Sequence, residues 1–289
     1  MPTVGLIGVG FIGKLFLDDL ITADYDVVVF DIDDSKVEYA IERGATASDS
    51  PATLGRKVDI VLMSLPGSVE VEATLEGENG LLEGVDDGDL VIDVTTTHPE
   101  TSVTCYEQCD EQNVRFIEAP ITGGSPREGY HMMIGGRETD YRAATEILDV
   151  ICSDHTRVGE IGKGTILKLA LQMRYAGHNA VDAEVVEFCR DNDVDPEVLN
   201  EFLEMGIWEN YFSGDFSQDI EGLGGLAIWH KDINYARQVA RENGTSLPLN
   251  AAVNEAYKAT VRRTDENEGH AATLIKYWQL LNNADLSDT

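Results

Sequence analysis

The first half of the chain alternates short apolar runs with amphipathic stretches, the pattern of a parallel sheet covered by helices on both faces. Five runs read as strands: Val4–Gly8, Asp26–Asp31, Asp59–Leu65, Asp89–Val94 and Arg115–Ala119. Between them Phe11–Thr22, Ser35–Arg43, Ser68–Leu75 and Pro99–Gln112 read as crossover helices, with Pro99 in a first turn, where a missing N–H is harmless. After Pro120 the pattern predicts a Gly-rich turn, a short strand around His131–Ile134, a helix over Tyr141–Ile151 and a strand near Thr156–Val158.

Beyond Gly164 the period becomes helical. Thr165–Arg190 holds no proline and spans about seven turns. Its apolar residues, from Ile166 to Phe188, cover most of its circumference and predict extensive burial. Asp195-Pro196-Glu197 then combines a cap, a first-turn proline and an early acid, which start another helix. The expected fold class is α/β: a Rossmann-like doubly wound parallel sheet over residues 1–161, then a long connecting helix and an all-α domain over residues 162–289.

A chain of 289 residues is long enough for two such domains, each with its own core. Charge narrows the partners: 53 acidic against 21 basic residues give a net charge of -32, which repels nucleic acid and anionic membranes. With 43% hydrophobic residues in periodic segments, the chain reads as globular rather than as a disordered acidic tract. The acid excess suits a halophilic enzyme, whose self-repulsion concentrated salt screens. Strand residues begin at Thr3, without the basic start of a secretory signal, and no apolar run is long enough for a bilayer, so the expected location is cytoplasmic. The four cysteines lack metal-site spacing and read as reduced thiols, and no metal is expected.

Gly8-Val9-Gly10-Phe11-Ile12-Gly13 matches G-x-G-x-x-G between a strand and a helix. The first glycine permits the tight turn, the second admits a pyrophosphate, and the third lets helix and strand pack closely. Asp31, eighteen residues beyond Gly13 at the end of the second strand, suits the ribose hydroxyls of NAD and repels the extra phosphate of NADP. Taken alone, Asp31 could simply cap a turn, and three glycines could be a plain turn.

With these motifs the chain resembles the β-hydroxyacid dehydrogenases, the family of 3-hydroxyisobutyrate dehydrogenase and tartronate semialdehyde reductase, more distantly related to 6-phosphogluconate dehydrogenase. The resemblance runs over nearly the whole sequence. Leu65-Pro66 stands where the family borders the cofactor, and Asp93-Val94-Thr95-Thr96-Thr97-His98-Pro99 is similar to its Asp-x-Ser-Thr-x-x-Pro, which implies that Thr96 contacts the nicotinamide. Ala119-Pro120-Ile121-Thr122-Gly123-Gly124 resembles the substrate loop, implying that Thr122, Gly123 and Gly124 hold a carboxylate.

Gly159-Glu160-Ile161-Gly162-Lys163-Gly164 followed by Lys168 resembles the family's catalytic segment, which makes Lys168 the acid/base. A lysine in an apolar helix is costly to bury unless paired or used, and the plainer alternative is a side chain snorkelling to solvent. Where the family commonly carries Asn three and four residues later, this chain has Leu171 and Gln172, so Gln172 is the candidate to orient the substrate. Lys231-Asp232 resembles the family's Lys-Asp pair, implying that Lys231 meets the cofactor or the substrate carboxylate; an ordinary surface ion pair is the alternative.

The implied reaction is reversible hydride transfer between NAD, or less favourably NADP, and a small 3-hydroxy acid, by a homodimer or homotetramer. Another aldehyde acid is one competing substrate: tartronate semialdehyde, succinic semialdehyde or a sulfonated aldehyde. An imine is disfavoured by Lys168, which imine reductases of this superfamily generally lack. A non-catalytic NAD-binding regulatory module is the reading from outside enzymology, and an intact Lys168 speaks against it.

Overall fold

The computed structural model describes residues 3–123, 129–203, 225–262, 274, 277–278 and 281. The chain divides into two compact units, Met1–Lys168 and Leu169–Thr289.

In the first unit β1 (Val4–Ile7), α1 (Phe11–Thr22), β2 (Val27–Phe30), α2 (Asp34–Glu42), the two-residue β3 (Thr46–Ala47), α3 (Pro51–Gly55), β4 (Ile60–Met63) and α4 (Ser68–Glu76) follow one another. After them come β5 (Leu90–Asp93), α5 (Pro99–Glu111), β6 (Arg115–Glu118), β7 (Ile121–Thr122), β8 (His131–Gly135), α6 (Glu138–Ile151) and β9 (Asp154–Gly159). The sheet runs β3-β2-β1-β4-β5-β6 with every pairing parallel, so the strand order reverses between β1 and β4. That is the doubly wound order, and its reversal opens a crevice at the carboxyl ends of those two strands.

Side chains alternate between two cores, as a period of two requires. Val4 and Leu6, Val27 and Val29, and Leu90 and Ile92 face one core with Phe16, Leu17 and Leu20 of α1 and Ile147, Leu148 and Ile151 of α6. Ile7, Val28, Val61, Met63 and Val91 face the other, with Leu54 of α3, Leu75 of α4 and Cys105 and Cys109 of α5. All four cysteines are free, and burial pushes the Cys109 thiol up to about 12, so this residue packs as a small apolar group.

Beyond β6 the sheet is mixed. β8 runs antiparallel to β6 and β7 and parallel to β9. The sequence pattern anticipates β8 and β9 but not this reversal, nor β3, α3 and β7, which are too short to show a period.

α7 (Lys163–Asp191) starts in the first unit and continues into the second. There α8 (Val198–Leu203), α9 (Leu226–Glu242) and α10 (Pro248–Val261) follow, so the elements among the described residues of this unit are helices. The predicted start at Asp195 appears as a cap, its Oδ1 accepting from the Glu197 amide at 3.0 Å. α9 ends in a Schellman turn: Gly244 takes φ +71, the Thr245 amide donates to the Ala240 carbonyl at 2.8 Å, and Pro248 then opens α10. Ala176, Ala180, Leu226, Trp229, Ile233 and Tyr257 form the core.

The expectation of burial around most of the long helix needs correction. Thr165, Lys168, Gln172, Ala176, Asn179 and Ala183 are buried in one stripe, while Ile166, Leu167, Val181 and Phe188, the last 71% exposed, lie outside it. Apolar composition overstated the burial because it does not register that the buried stripe is built from polar and small residues while larger apolar ones face outward. No helix among the described residues is long and apolar enough to cross a membrane.

Candidate active site

The glycine turn joins β1 to α1 at the point where the strand order reverses. Gly8 has φ +91, and a Cβ there would lie 2.1 Å from the Ser64 carbonyl oxygen of the loop after β4. A Cβ on Gly13 would lie 2.0 Å from the Gly8 carbonyl oxygen, which is the close helix–strand packing the third glycine permits. Gly10 differs from both, because a Cβ there meets nothing within 4 Å. Gly10 is also the N-cap of α1 and supplies no side-chain cap, so the amides of Phe11 and Ile12 begin the helix beside open space. Room in front of a positive helix end is what a pyrophosphate requires.

Asp31 follows β2 and braces this turn: its Oδ2 accepts from the Val9 amide at 2.7 Å and its Oδ1 from the Asp33 amide at 2.9 Å. Lys36 Nζ stands 3.8 Å from Oδ1. The carboxylate therefore both shapes the glycine turn and presents negative charge at the strand end. Next to it Ile32 is 93% exposed, and Val69 at the start of α4 is also exposed. Sequence reading passed over both, although an apolar residue immediately after a strand-ending Asp is a legible signal.

The loops after β4 and β5 are tied together, since the Leu65 amide donates to Thr95 Oγ1 at 3.0 Å. Thr95, Thr97 and His98 are buried, and Thr96 between them is partly exposed, as is Leu65, while Pro66 is exposed. Thr96 is thus the accessible hydroxyl of that run. Thr122 closes β7, paired with His131, and Thr122 and Gly123 are both partly exposed. Gly124 lies outside the described residues.

Lys168 is only 8% exposed and sits one turn after Thr165 on the same face of α7. This helix start is held by a residue that sequence reading missed. Glu118, at the end of β6, accepts from the Gly164 amide at 2.8 Å, the Thr165 amide at 3.2 Å and Thr165 Oγ1 at 2.6 Å. Burial raises its carboxyl above the usual range, and these hydrogen bonds oppose the rise. An acid directly after the apolar pair Phe116-Ile117, at the end of the strand, was the available signal.

In the second unit Gln172 is buried and its Nε2 donates to Asp232 Oδ2 at 2.8 Å. Lys231 Nζ lies 3.2 Å from Asp232 Oδ1 and 5.4 Å from the Tyr235 ring centroid. Asp232 is 1% exposed, so Lys231-Asp232 is not the ordinary surface pair that the spacing alone allowed.

An open cradle at Gly10, an uncapped helix start and a carboxylate at the neighbouring strand end fit a dinucleotide, and together they define a nucleotide-binding α/β unit of the dehydrogenase class. Comparison with known proteins narrows the class. Residues 3–161 match the NAD binding domain of 6-phosphogluconate dehydrogenase, and residues 162–278 match the family described as NAD-binding of NADP-dependent 3-hydroxyisobutyrate dehydrogenase. The chain belongs to the β-hydroxyacid dehydrogenase family, NAD(P)-dependent enzymes acting on CH–OH groups.

Among its relatives, mitochondrial 3-hydroxyisobutyrate dehydrogenase of Mus musculus is 26% identical, covering 88% of this chain and 81% of that protein. The 2-(hydroxymethyl)glutarate dehydrogenase of Eubacterium barkeri is 24% identical, covering 98% of this chain and 97% of that protein. A solved structure of Mycobacterium tuberculosis 3-hydroxyisobutyrate dehydrogenase with L-serine superposes with a TM-score of 0.83 at 20% identity, covering 96% of this chain and 99% of that one.

Proposed function

We propose that the protein interconverts a small 3-hydroxy acid, of the 3-hydroxyisobutyrate kind, and its semialdehyde, with Lys168 as acid/base and NAD as the favoured cofactor. The observation that carries this reading is the burial of Lys168 near the start of α7, at the position the resemblance assigns to the acid/base, where an ammonium is costly to keep unless it is paired or used. The compounds named for the relatives agree, because 3-hydroxyisobutyrate, 2-(hydroxymethyl)glutarate and L-serine all carry a hydroxymethyl group on the carbon bearing a carboxylate.

Gly8, Gly10 and Gly13 would receive the pyrophosphate against the Phe11 and Ile12 amides. Asp31 would accept from the adenosine ribose, and Leu65, Pro66 and Thr96 would border the nicotinamide. When bound, the dinucleotide supplies the hydride acceptor for oxidation and the hydride donor for reduction. Lys168 does the proton work: its neutral amine takes the hydroxyl proton in oxidation, and its ammonium returns a proton to the carbonyl oxygen in reduction. A positive Lys168 also stabilises alkoxide charge on that oxygen. Thr122, Gly123 and Gly124 would hold the carboxylate, Gln172 would orient the substrate oxygen, and Lys231 would meet an anionic group of substrate or cofactor. Gln172 in place of Asn leaves another aldehyde acid as the alternative substrate.

The exposed apolar face of α7, with Leu167, Val181 and Phe188, supports a homo-oligomer. The acid excess supports a cytoplasm of high salt as the working medium.

The test is an absorbance assay of both nicotinamide cofactors against a panel of 3-hydroxy acids, run alongside K168A. The variant should lose kcat by roughly a hundredfold or more. Turnover near the wild-type rate in K168A would end the Lys168 mechanism, whatever the substrate.

A further inference from the structure

Four buried side chains form a hydrogen-bonded line through the first unit. Thr97 Oγ1 and Ser102 Oγ are 3.0 Å apart, Ser102 Oγ and Thr165 Oγ1 are 3.5 Å apart, and Thr165 Oγ1 donates to Glu118 Oε2 at 2.6 Å. All four residues are buried. One end adjoins Thr96 in the loop after β5. The other end is the first turn of α7, whose next turn carries Lys168.

We propose that Glu118, acting through Thr165 and Ser102, is the positioning residue that fixes Lys168 relative to the loop carrying Thr96; the proposal rests on Lys168 being the acid/base. A fully buried carboxylate at the end of β6 is expensive, and a leucine would fill the same space at lower cost. The surroundings are nonetheless cleared for it. A Cβ on Gly135 would lie 2.2 Å from Glu118 Oε1, and a Cβ on Gly164 would lie 2.2 Å from the Met133 carbonyl oxygen, so glycines let the acid and the helix start approach β8.

Glu118 meets two orphan amides and a hydroxyl at the positive end of α7, and these three hydrogen bonds anchor the helix start. Thr165 lies three residues before Lys168, so the turn that Glu118 grips sets both the axial position and the rotation of the lysine. Through Ser102 and Thr97 the same grip reaches the loop that supplies Thr96. Displacement of an acid/base by about 1 Å costs up to a hundredfold in rate while leaving binding intact, which is what separates positioning from packing.

The experiment compares T165V, T165S, E118Q and S102A with wild type and K168A in the full-length protein. Steady-state kcat and KM are measured together with dinucleotide affinity from quenching of intrinsic fluorescence. T165V keeps the volume of the side chain and removes its hydroxyl; kcat should fall about tenfold to a hundredfold with dinucleotide affinity within about twofold of wild type. T165S should recover most of that loss, E118Q should behave like T165V, and S102A should fall less. Amide exchange at Gly164 and Thr165 should speed up in E118Q without substrate present.

A folded T165V with wild-type kcat, or a loss that T165S does not restore, overturns the proposal. S102A at the wild-type rate removes the link to the Thr96 loop. If T165V fails to fold, E118Q and its exchange rates decide, and an unchanged kcat there has the same consequence. Wild-type turnover in K168A would instead defeat the acid/base reading itself, so the two failures are distinguishable.

Discussion

Gln172 donates its amide N–H to the buried carboxylate of Asp232 across 2.8 Å. The side-chain amide of Gln172 therefore has one donor committed. Asp232 in turn faces Lys231 at 3.2 Å, so the three residues act as one charged, largely buried unit. Removing either partner leaves a buried polar atom unmatched, at a cost of about 1.5–3 kcal/mol for a bond to a charged group.

A double-mutant cycle follows from this geometry. Q172L and D232A should each lower the unfolding free energy, and the pair should show a coupling of about 1 kcal/mol or more. Denaturant unfolding of the four proteins measures it, and additivity within experimental error would show that the contact contributes no net stability.

Asp31 has two tasks, bracing the Val9 amide and presenting charge at the end of β2. D31A should therefore weaken NAD and also lose discrimination against NADP, so that the ratio of the two kcat/KM values moves at least tenfold towards NADP, or roughly 1.4 kcal/mol. Initial rates with both cofactors decide it. An unchanged ratio would mean that the charge is spent wholly on the turn and that specificity lies elsewhere.

Much of this was legible beforehand because long-range geometry was encoded locally. The glycine turn, Asp31 and the apolar runs each announce themselves by spacing, since a period of two or a fixed offset from a strand survives in a linear reading. Glu118 was less legible: the acid itself is visible beside Phe116 and Ile117, but its partners Gly164 and Thr165 lie more than forty residues away, so what it holds is not. The antiparallel run of β8 escaped for a related reason: a five-residue apolar strand looks the same in either direction. Asp232 was visible as half of a charge pair, but its burial and its hold on Gln172 depend on how two helices meet.

His230 offers a pH test of the helical unit. Burial first, then the charge of Lys258, holds its imidazole below the ordinary histidine range, with Glu255 opposing. Asn234 Nδ2 lies 3.2 Å from its Nε2. A folded-state value below the unfolded one means that the unfolded chain binds more protons between the two, so stability rises with pH across that window and levels off above about 6.5. Thermal unfolding of wild type should climb from pH 5 to 7, and H230Q should climb less. Parallel curves for the two proteins would remove His230 as a contributor.

The net charge of -32 makes ionic strength the last and most global test. Carboxylates crowd one another: Asp19 is held above the usual range by burial and then by Asp18, and Asp89 by burial and then by Asp86 and Asp59. Such groups cost stability once ionised, and the repulsive part of that cost falls as the screening length shrinks from about 10 Å at 0.1 M salt to about 3 Å at 1 M. Attractive pairs such as Arg137–Asp110 weaken under the same screening, but 21 basic residues cannot offset 53 acidic ones. Raising KCl from about 0.1 to 2 M should therefore stabilise the fold by roughly 2 kcal/mol, or about 4–8 °C in Tm for units of this size. Calorimetry at several KCl concentrations, with sorbitol as an uncharged control, separates screening from general exclusion effects. A Tm that stays flat or falls with KCl would mean that the ion pairs outweigh the repulsion, and the halophilic reading would go with it.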